Sequence, residues 1–298
     1  MQQIEQNIFI STTYPGVTLG ALALPYGVLM IDAPPHPDHG RAWQSSLRNQ
    51  GGVSRMLVNL DAHIDRTLGV RVLDCPVIAH EKTNTELDTR PAIFKGQTLE
   101  TGAEWEVCEG LSGLRWTKPT VTFTQHTLLE WGEYTVTLEH HPGPSRGAIW
   151  VIIPEASVVF VGDAVVVNQP PFLENADLPE WIEALDLLLS PPYKNFLIVS
   201  GRSGLINLQN VRDQRTYLKE IHKKLDKLHE KNALPSATES LIPTLLSHVE
   251  FPPERAEQYT QRLRYGLLHH YKHHYLPPGE EINLPLNPSP SLGAGQSL

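Results

Sequence analysis

Cysteine is nearly absent: Cys75 and Cys108 are the only two in 298 residues. Without an export pattern to accompany them they read as reduced, buried thiols rather than a disulfide framework. The opening Met1-Gln2-Gln3-Ile4-Glu5 has neither the basic stretch nor the apolar core of a secretory signal. No run approaches the roughly 18–20 apolar residues that a membrane span needs. These absences set the expectation of a cytoplasmic protein with no membrane partner. Positive charge is also short, with 24 Lys and Arg against 33 Asp and Glu and a net charge of −9. That excludes the basic face of a general nucleic-acid binder. Charged residues make up only 19% and hydrophobic ones 40%, the balance of a folded chain rather than a disordered one. The length admits one large core, or one core with an appendage.

The chain alternates between two patterns. Residues 8–33 read as a strand pair around the turn Pro25-Tyr26-Gly27, ending at Asp32. Pro34-Pro35-His36-Pro37-Asp38-His39-Gly40 reads as a rigid loop, followed by a helix from Arg41 to Asn49. Arg55 to Leu60 is a buried strand that runs directly into Asp61-Ala62-His63-Ile64-Asp65-Arg66. Polar residues crowded at the end of a buried strand mark the place where α/β folds put their sites. Val70 to Ala79 reads as strand, 81–119 as mixed and partly helical. The β pattern resumes over 120–124, 128–131 and 134–139, then over 148–153 and 158–161, which end at Gly162-Asp163. Leu178 to Leu189 is an amphipathic helix, and Phe196 to Val199 a last buried strand closed by Ser200-Gly201-Arg202-Ser203-Gly204. From about 209 the chain reads as helix only. Leu218, Ile221, Leu225 and Leu228 form a heptad-like stripe, and two further helices carry Leu241 to Val249 and Ala256 to Tyr271. Residues 209–275 hold 11 Lys and Arg against 8 Asp and Glu, so the rest of the chain is the more acidic part.

The order of these features in residues 8–205 resembles the metallo-β-lactamase superfamily. Asp61-Ala62-His63-Ile64-Asp65-Arg66 stands where that family has H-x-H-x-D-H. His140-His141-Pro142-Gly143-Pro144-Ser145-Arg146-Gly147 is similar to its Pro-Gly loop, Phe160-Val161-Gly162-Asp163 to its F-x-G-D element, and Ile198 to Gly204 to its I-V-P-G-H-G turn. The resemblance implies an α/β (α+β) fold, a four-layer αββα metallo-β-lactamase-like sandwich with a C-terminal helical extension. The division it suggests is 1–208 for the sandwich, 209–276 for the helices and 277–298 for a disordered tail rich in Pro, Gly and Ser.

The resemblance also implies two metal ions and a bridging hydroxide, and here the sequence departs from it. Asp61 stands at the first His, Arg66 at the last His of that motif, Pro144 at the Pro-Gly loop His and Arg202 at the final His. Proline offers no side-chain donor, and an arginine cannot lose its proton. The dinuclear site is therefore expected to be missing, with no metal cofactor. The alternative is one divalent ion (Zn, Fe or Mn) on Asp61, His63 and Asp163. The preferred expectation is a ligand pocket of Asp61, His63, Asp65, Arg66, His141, Asp163 and Arg202 in which a salt-bridge network replaces the metals, since buried carboxylates need partners.

Function follows as a pair of expectations. One is a pseudoenzyme-like protein that binds a small anionic ligand or a partner, with Arg202 as a candidate anion hook. The other is a divergent hydrolase with a single ion. Whether the chain is an enzyme stays open. His36 and His39 are expected to border the same mouth, where they could help hold an ion but read rather as polar residues of a surface loop, and His140 and His141 carry the same two readings. The i,i+4 pairs His269/His273 and His270/His274 could chelate an ion but read as a solvated helix end. The 218–228 stripe reads as core packing, with a homo-oligomer through the C-terminal helices left open.

Overall fold

The computed structural model describes residues 1–96 and 100–277; the expected tail lies outside the described residues from 278 onward. Two mixed sheets stack face to face. The first has seven strands in chain order, β1 (Gln2–Glu5), β2 (Ile8–Tyr14), β3 (Val17–Leu24), β4 (Gly27–Ile31), β5 (Ser54–Val58), β6 (Val77–His80) and β7 (Val121–Phe123). The second has six, in the order β13 (Gly204–Ile206), β12 (Leu197–Ser200), β11 (Val158–Phe160), β10 (Ile149–Ile153), β9 (Tyr134–His140) and β8 (His126–Trp131). Alternate residues of both inner faces, among them Ile10, Leu22, Leu29, Val58, Val136, Val151 and Phe160, fill the layer between them.

Helices cover the outer faces. Trp43 and Leu47 of α1 (Pro37–Leu47) pack on the first sheet with Leu19, Met30 and Leu57. α2 (Ile64–Thr67) and α3 (Glu81–Thr89) follow the ends of β5 and β6. On the second sheet, α4 (Leu178–Leu188), α5 (Leu208–Glu230), α6 (Ile242–Leu246) and α7 (Ala256–Tyr275) share one apolar cluster with Trp150, Val159 and Ile198. The C-terminal helices thus close the fourth layer instead of forming a core of their own. Leu218, Ile221 and Leu225 are fully buried inside this cluster, so the heptad-like stripe is spent within the chain. Among the described residues no helix is long and apolar enough to cross a membrane.

Several local readings are corrected. The Pro34–Gly40 segment is not all loop: α1 starts at Pro37, where the missing N–H is one the first turn would leave unpaired anyway, and the His36 side chain caps it. Val70 to Ala79 is not one strand. Val70–Leu73 is a 3-10 turn that ends at Asp74 in the left-handed region, and only β6 is extended. The loop after β12 turns back at once into β13, antiparallel to it. Residues 2–5, too polar to signal a strand, pair with β2 as an edge.

What positions the site is strand direction. β4, β5, β6 and β7 run parallel, and β11 runs parallel to β12. Their C-terminal ends deliver Asp32, Asp61, Asp163 and Arg202 to one rim of the sandwich.

Candidate functional site

At that rim two arginines are buried among carboxylates. Arg66, in α2, is 0% exposed. Its guanidinium reaches Asp32 Oδ2 at 3.1 Å and Asp61 Oδ1 at 3.2 Å, and donates to Asp163 Oδ1. Asp32, just past β4 at φ 60°, is held by a bond from the Leu60 backbone N–H at 2.9 Å. Arg202, in the turn between β12 and β13, is 1% exposed at its side chain. It donates through Nε to Asp163 Oδ2 at 2.7 Å, through one terminal nitrogen to the Gly16 carbonyl at 2.9 Å and Glu104 Oε2 at 3.2 Å, and through the other to Asp65. Asp163 therefore serves both arginines. Gly201 makes this possible: a Cβ there would stand 2.8 Å from both Arg66 and the Asp163 carboxylate.

Three members of the network went unnoticed in the sequence. Glu104 lies in the 3-10 turn Glu104–Val107, within the segment that reads as mixed. Its second oxygen accepts from Arg262 of α7 at 2.8 Å, and Arg262 also bonds the Gly102 carbonyl, Gln169 and the Pro170 carbonyl. The guanidiniums of Arg202 and Arg262 both lie over the Phe172 ring, 4.4 and 4.1 Å from its centre. The sequence signal for Arg262 was its place on the buried side of α7, with Tyr259, Leu263 and Gly266.

Of the expected site residues, the structure brings together Asp61, His63, Asp65, Arg66, Asp163 and Arg202. It does not bring in His141, whose ring bonds Glu139 at 3.1 Å and lies against Trp150. His140 stacks on His80 with ring centres 3.8 Å apart, His36 is engaged as a helix cap, and His39 lies near Tyr14. His273 lines the cleft described below, while His270 is buried. Among the described residues, the only His, Cys, Asp and Glu group placed to hold an ion is Asp61, His63 and Asp163, with ligand atoms within 4.8 Å of one another.

The electrostatics are those of a closed cluster. Burial opposes ionisation of Asp163, yet Arg202 and Arg66 hold its carboxyl below the usual range. Burial likewise opposes ionisation of Asp61, and Arg66 and His63 outweigh it. Asp32 goes the other way: burial pushes it up to about 7 against the pull of Arg66. Burial would lower His63, but Asp61 at 2.9 Å raises it. Five carboxylates (Asp32, Asp61, Asp65, Glu104, Asp163) and three guanidiniums (Arg66, Arg202, Arg262) leave −2. Two protons, on Asp32 and His63, balance that charge; so would one divalent ion.

The donor set fits one ion and not two. Asp61 Oδ2 and His63 Nδ1 are both buried without a hydrogen-bond partner, their 2.9 Å approach being off the line of a bond. With Asp163 they form a one-His, two-carboxylate set that an oxygen-preferring ion could use. At the second position Arg202 binds both Asp65 and Asp163, and Pro144 has nothing to donate. A second cation there would meet a permanent positive charge.

Beside His63 opens a cleft of about 710 Å³, lined among others by Asp65, Lys82, Arg90, Ser145, Arg146, Phe172 and Tyr265. This is the size of a small-molecule site.

Residues 62–199 match the family model for the metallo-beta-lactamase superfamily. The chain carries a metallo-β-lactamase superfamily domain. Among solved structures, a double mutant of the sec-alkyl sulfatase PisA1 from Pseudomonas sp. is similar with TM-score 0.70 and 14% identity, covering 96% of this chain and 52% of that one. The chain thus spans about half the length of that sulfatase. The metallo-beta-lactamase from Pontibacter korlensis is similar with TM-score 0.57 and 17% identity over 73% of this chain and 97% of that one. The DIM-1 metallo-beta-lactamase gives TM-score 0.58 and 15% identity over 74% and 95%. At these identities the likeness is one of fold. The lactamases cover about three quarters of the chain, while the sulfatase match extends into the helices that follow the sandwich. No curated protein matches the sequence.

Proposed function

We propose that this chain is a metallo-β-lactamase-fold protein that works without a dinuclear centre, as a binder of a small molecule in the cleft beside His63. One observation carries the reading: every nitrogen of the Arg202 guanidinium is bonded to an acceptor of the fold, two of them the buried carboxylates of Asp65 and Asp163. A guanidinium so satisfied fills the second metal position as a fixed part of the fold. Four of its five N–H groups are taken and three carboxylates surround it, so the anion hook expected from the sequence is not part of this reading. Elemental analysis of untagged protein tests the reading. Well under one equivalent of zinc, iron or manganese per chain is expected; two equivalents would overturn it.

A second reading is favoured by the two unpartnered atoms, Asp61 Oδ2 and His63 Nδ1. In it Asp61, His63 and Asp163 hold one divalent ion, which would supply a polarised water for hydrolysis. Hydrolysis is also the chemistry that the names of the similar lactamases and sulfatase suggest. One equivalent of metal that disappears in His63→Ala would establish this reading in place of the first.

A further inference from the structure

The cleft holds charges that the network does not use. Lys82, in α3, and Arg146, in the loop before β10, are both exposed on its wall, and neither has an ion-pair partner among the described residues. One contact brings them together. The Thr83 hydroxyl donates to the Gly147 carbonyl at 3.1 Å, and a Cβ on Gly147 would stand 2.4 Å from that hydroxyl oxygen, so no other residue lets the loop sit this close to α3. Next to Arg146 is Ser145. It is 3% exposed, it lines the same cleft, and its hydroxyl has no hydrogen-bond partner. A buried hydroxyl without a partner is uncommon and calls for an acceptor.

The acidic groups on the cleft are already engaged. Glu86 pairs with Arg90 at 2.7 Å, Asp65 with Arg202, and Glu174 accepts from the Tyr265 hydroxyl at 3.1 Å. Ile64 and Phe172, both half-buried, supply apolar surface, and Phe172 is fixed by the two arginines over its ring.

We propose that the cleft binds an organic monoanion, its head met by Lys82, Arg146 and the Ser145 hydroxyl and its apolar body lying against Ile64 and Phe172. This rests on the reading of the cleft as a ligand site. It moves anion recognition from the floor of the site, where carboxylates surround Arg202, to the wall, where Lys82 and Arg146 have no ion-pair partner among the described residues.

Calorimetric titration of the full-length chain with octanoate, octyl sulfate, octanamide and inorganic sulfate tests it. At least one of the two octyl anions is expected to bind one per chain, about tenfold or more tighter than neutral octanamide or bare sulfate. The tighter of the two tells whether the head is a carboxylate or a sulfate. Lys82→Ala and Arg146→Ala should each weaken that binding about tenfold, and Ser145→Ala by a few-fold, against charge-assisted and neutral bonds respectively. Lys82 and Arg146 are exposed, so these variants should fold, and unchanged melting curves would check it. Octanamide binding as tightly as the anions, or unchanged affinity in the Lys82→Ala/Arg146→Ala double variant, would overturn the proposal while leaving a ligand cleft. No binding by any probe would overturn both. The metal content of the same preparation is read separately, so the absence of a dinuclear centre stands or falls by itself.

Discussion

The two ends of the charge cluster are built from different parts of the chain. Around Arg66, every charged partner (Asp32, Asp61, Asp163) comes from a strand end of the sandwich. Around Arg202, the partners reach outward, through Glu104 to Arg262 on a helix more than 150 residues further along the chain from Glu104. The first end belongs to the fold and would survive with the sandwich. The second shares Asp163 and Asp65 with the sandwich but is completed by α7 through Glu104 and Arg262. The carboxylates of the rim are thus met by two sets of cations, one from the sandwich itself and one that extends to a helix outside it.

Removing each arginine in turn would separate the two ends. Arg66→Met leaves Asp32 with no cation and takes one from Asp61 and Asp163, and should cost about 3–5 kcal/mol in urea unfolding at neutral pH, the range for breaking a buried pair. A loss below about 1 kcal/mol would mean that Asp32 and its neighbours simply take up protons. Arg202→Met should cost less, about 2–3 kcal/mol, because Asp163 keeps Arg66 and Glu104 keeps Arg262.

The Arg66 end and the helix α7 should also answer to pH with opposite sign. Asp32, at the Arg66 end, has its folded value raised from 3.8 to about 7. It binds its proton more tightly folded than unfolded, so the linked stability is complete below 3.8 and is lost as pH rises through about 7. His270, on α7, is lowered from 6.5 to about 3, chiefly by burial and then by His274. Its contribution is complete above 6.5 and is lost as pH falls toward 3. Between about pH 7 and 4.5 that single group should remove about 2–3 kcal/mol. Denaturation curves of the chain and of His270→Gln at the two pH values give the difference; a variant with the same acid loss as the parent would sink the assignment. Asp32→Asn should flatten the fall in stability between about pH 4 and 7.

A double-mutant cycle on Glu104→Gln and Arg262→Met measures how firmly α7 is tied to the site, with an expected coupling of about 1–2 kcal/mol. The smallest effect should come from Arg264, two residues along the same helix. Its pairing with Glu239 is well formed but about half exposed, so Arg264→Ala should change stability by at most about 1 kcal/mol. If Arg262 and Arg264 proved equal, burial would not be what distinguishes them.

Much of the fold was legible because its signals are local. Buried strands ending in Asp61, Asp163 and Ser200-Gly201-Arg202 stand out as apolar runs that stop at polar clusters. The helices after 208 show their 3.6-residue stripes. The site was legible to the same extent, since Asp61, His63, Asp65, Arg66, Asp163 and Arg202 all follow such strands. What escaped reading arrives from a distance. Asp32 was visible as a strand end, but nothing local pairs it with Arg66. Glu104 sits in a segment without periodicity, and its role depends on a contact with α7 that no spacing encodes. His141 erred the other way: its place in the Pro-Gly loop suggested the cleft, but Trp150 offers a face to stack on and Glu139 a carboxylate two residues away. Proline misled at Pro37, because the residue that ends a helix internally is well suited to start one.

The sharing of Asp163 by two arginines has a consequence for anyone who would rebuild a metal centre here. Arg202→His would supply a ligand but leave Asp65 without its arginine, while Arg66→His would do the same to Asp32. Each replacement taken alone gives a form that neither binds two ions nor balances its own charges. Pro144 would have to change as well. The arginine-filled state is therefore a trap in sequence space: it is left by several replacements made together, and a library built one substitution at a time should find only less stable proteins.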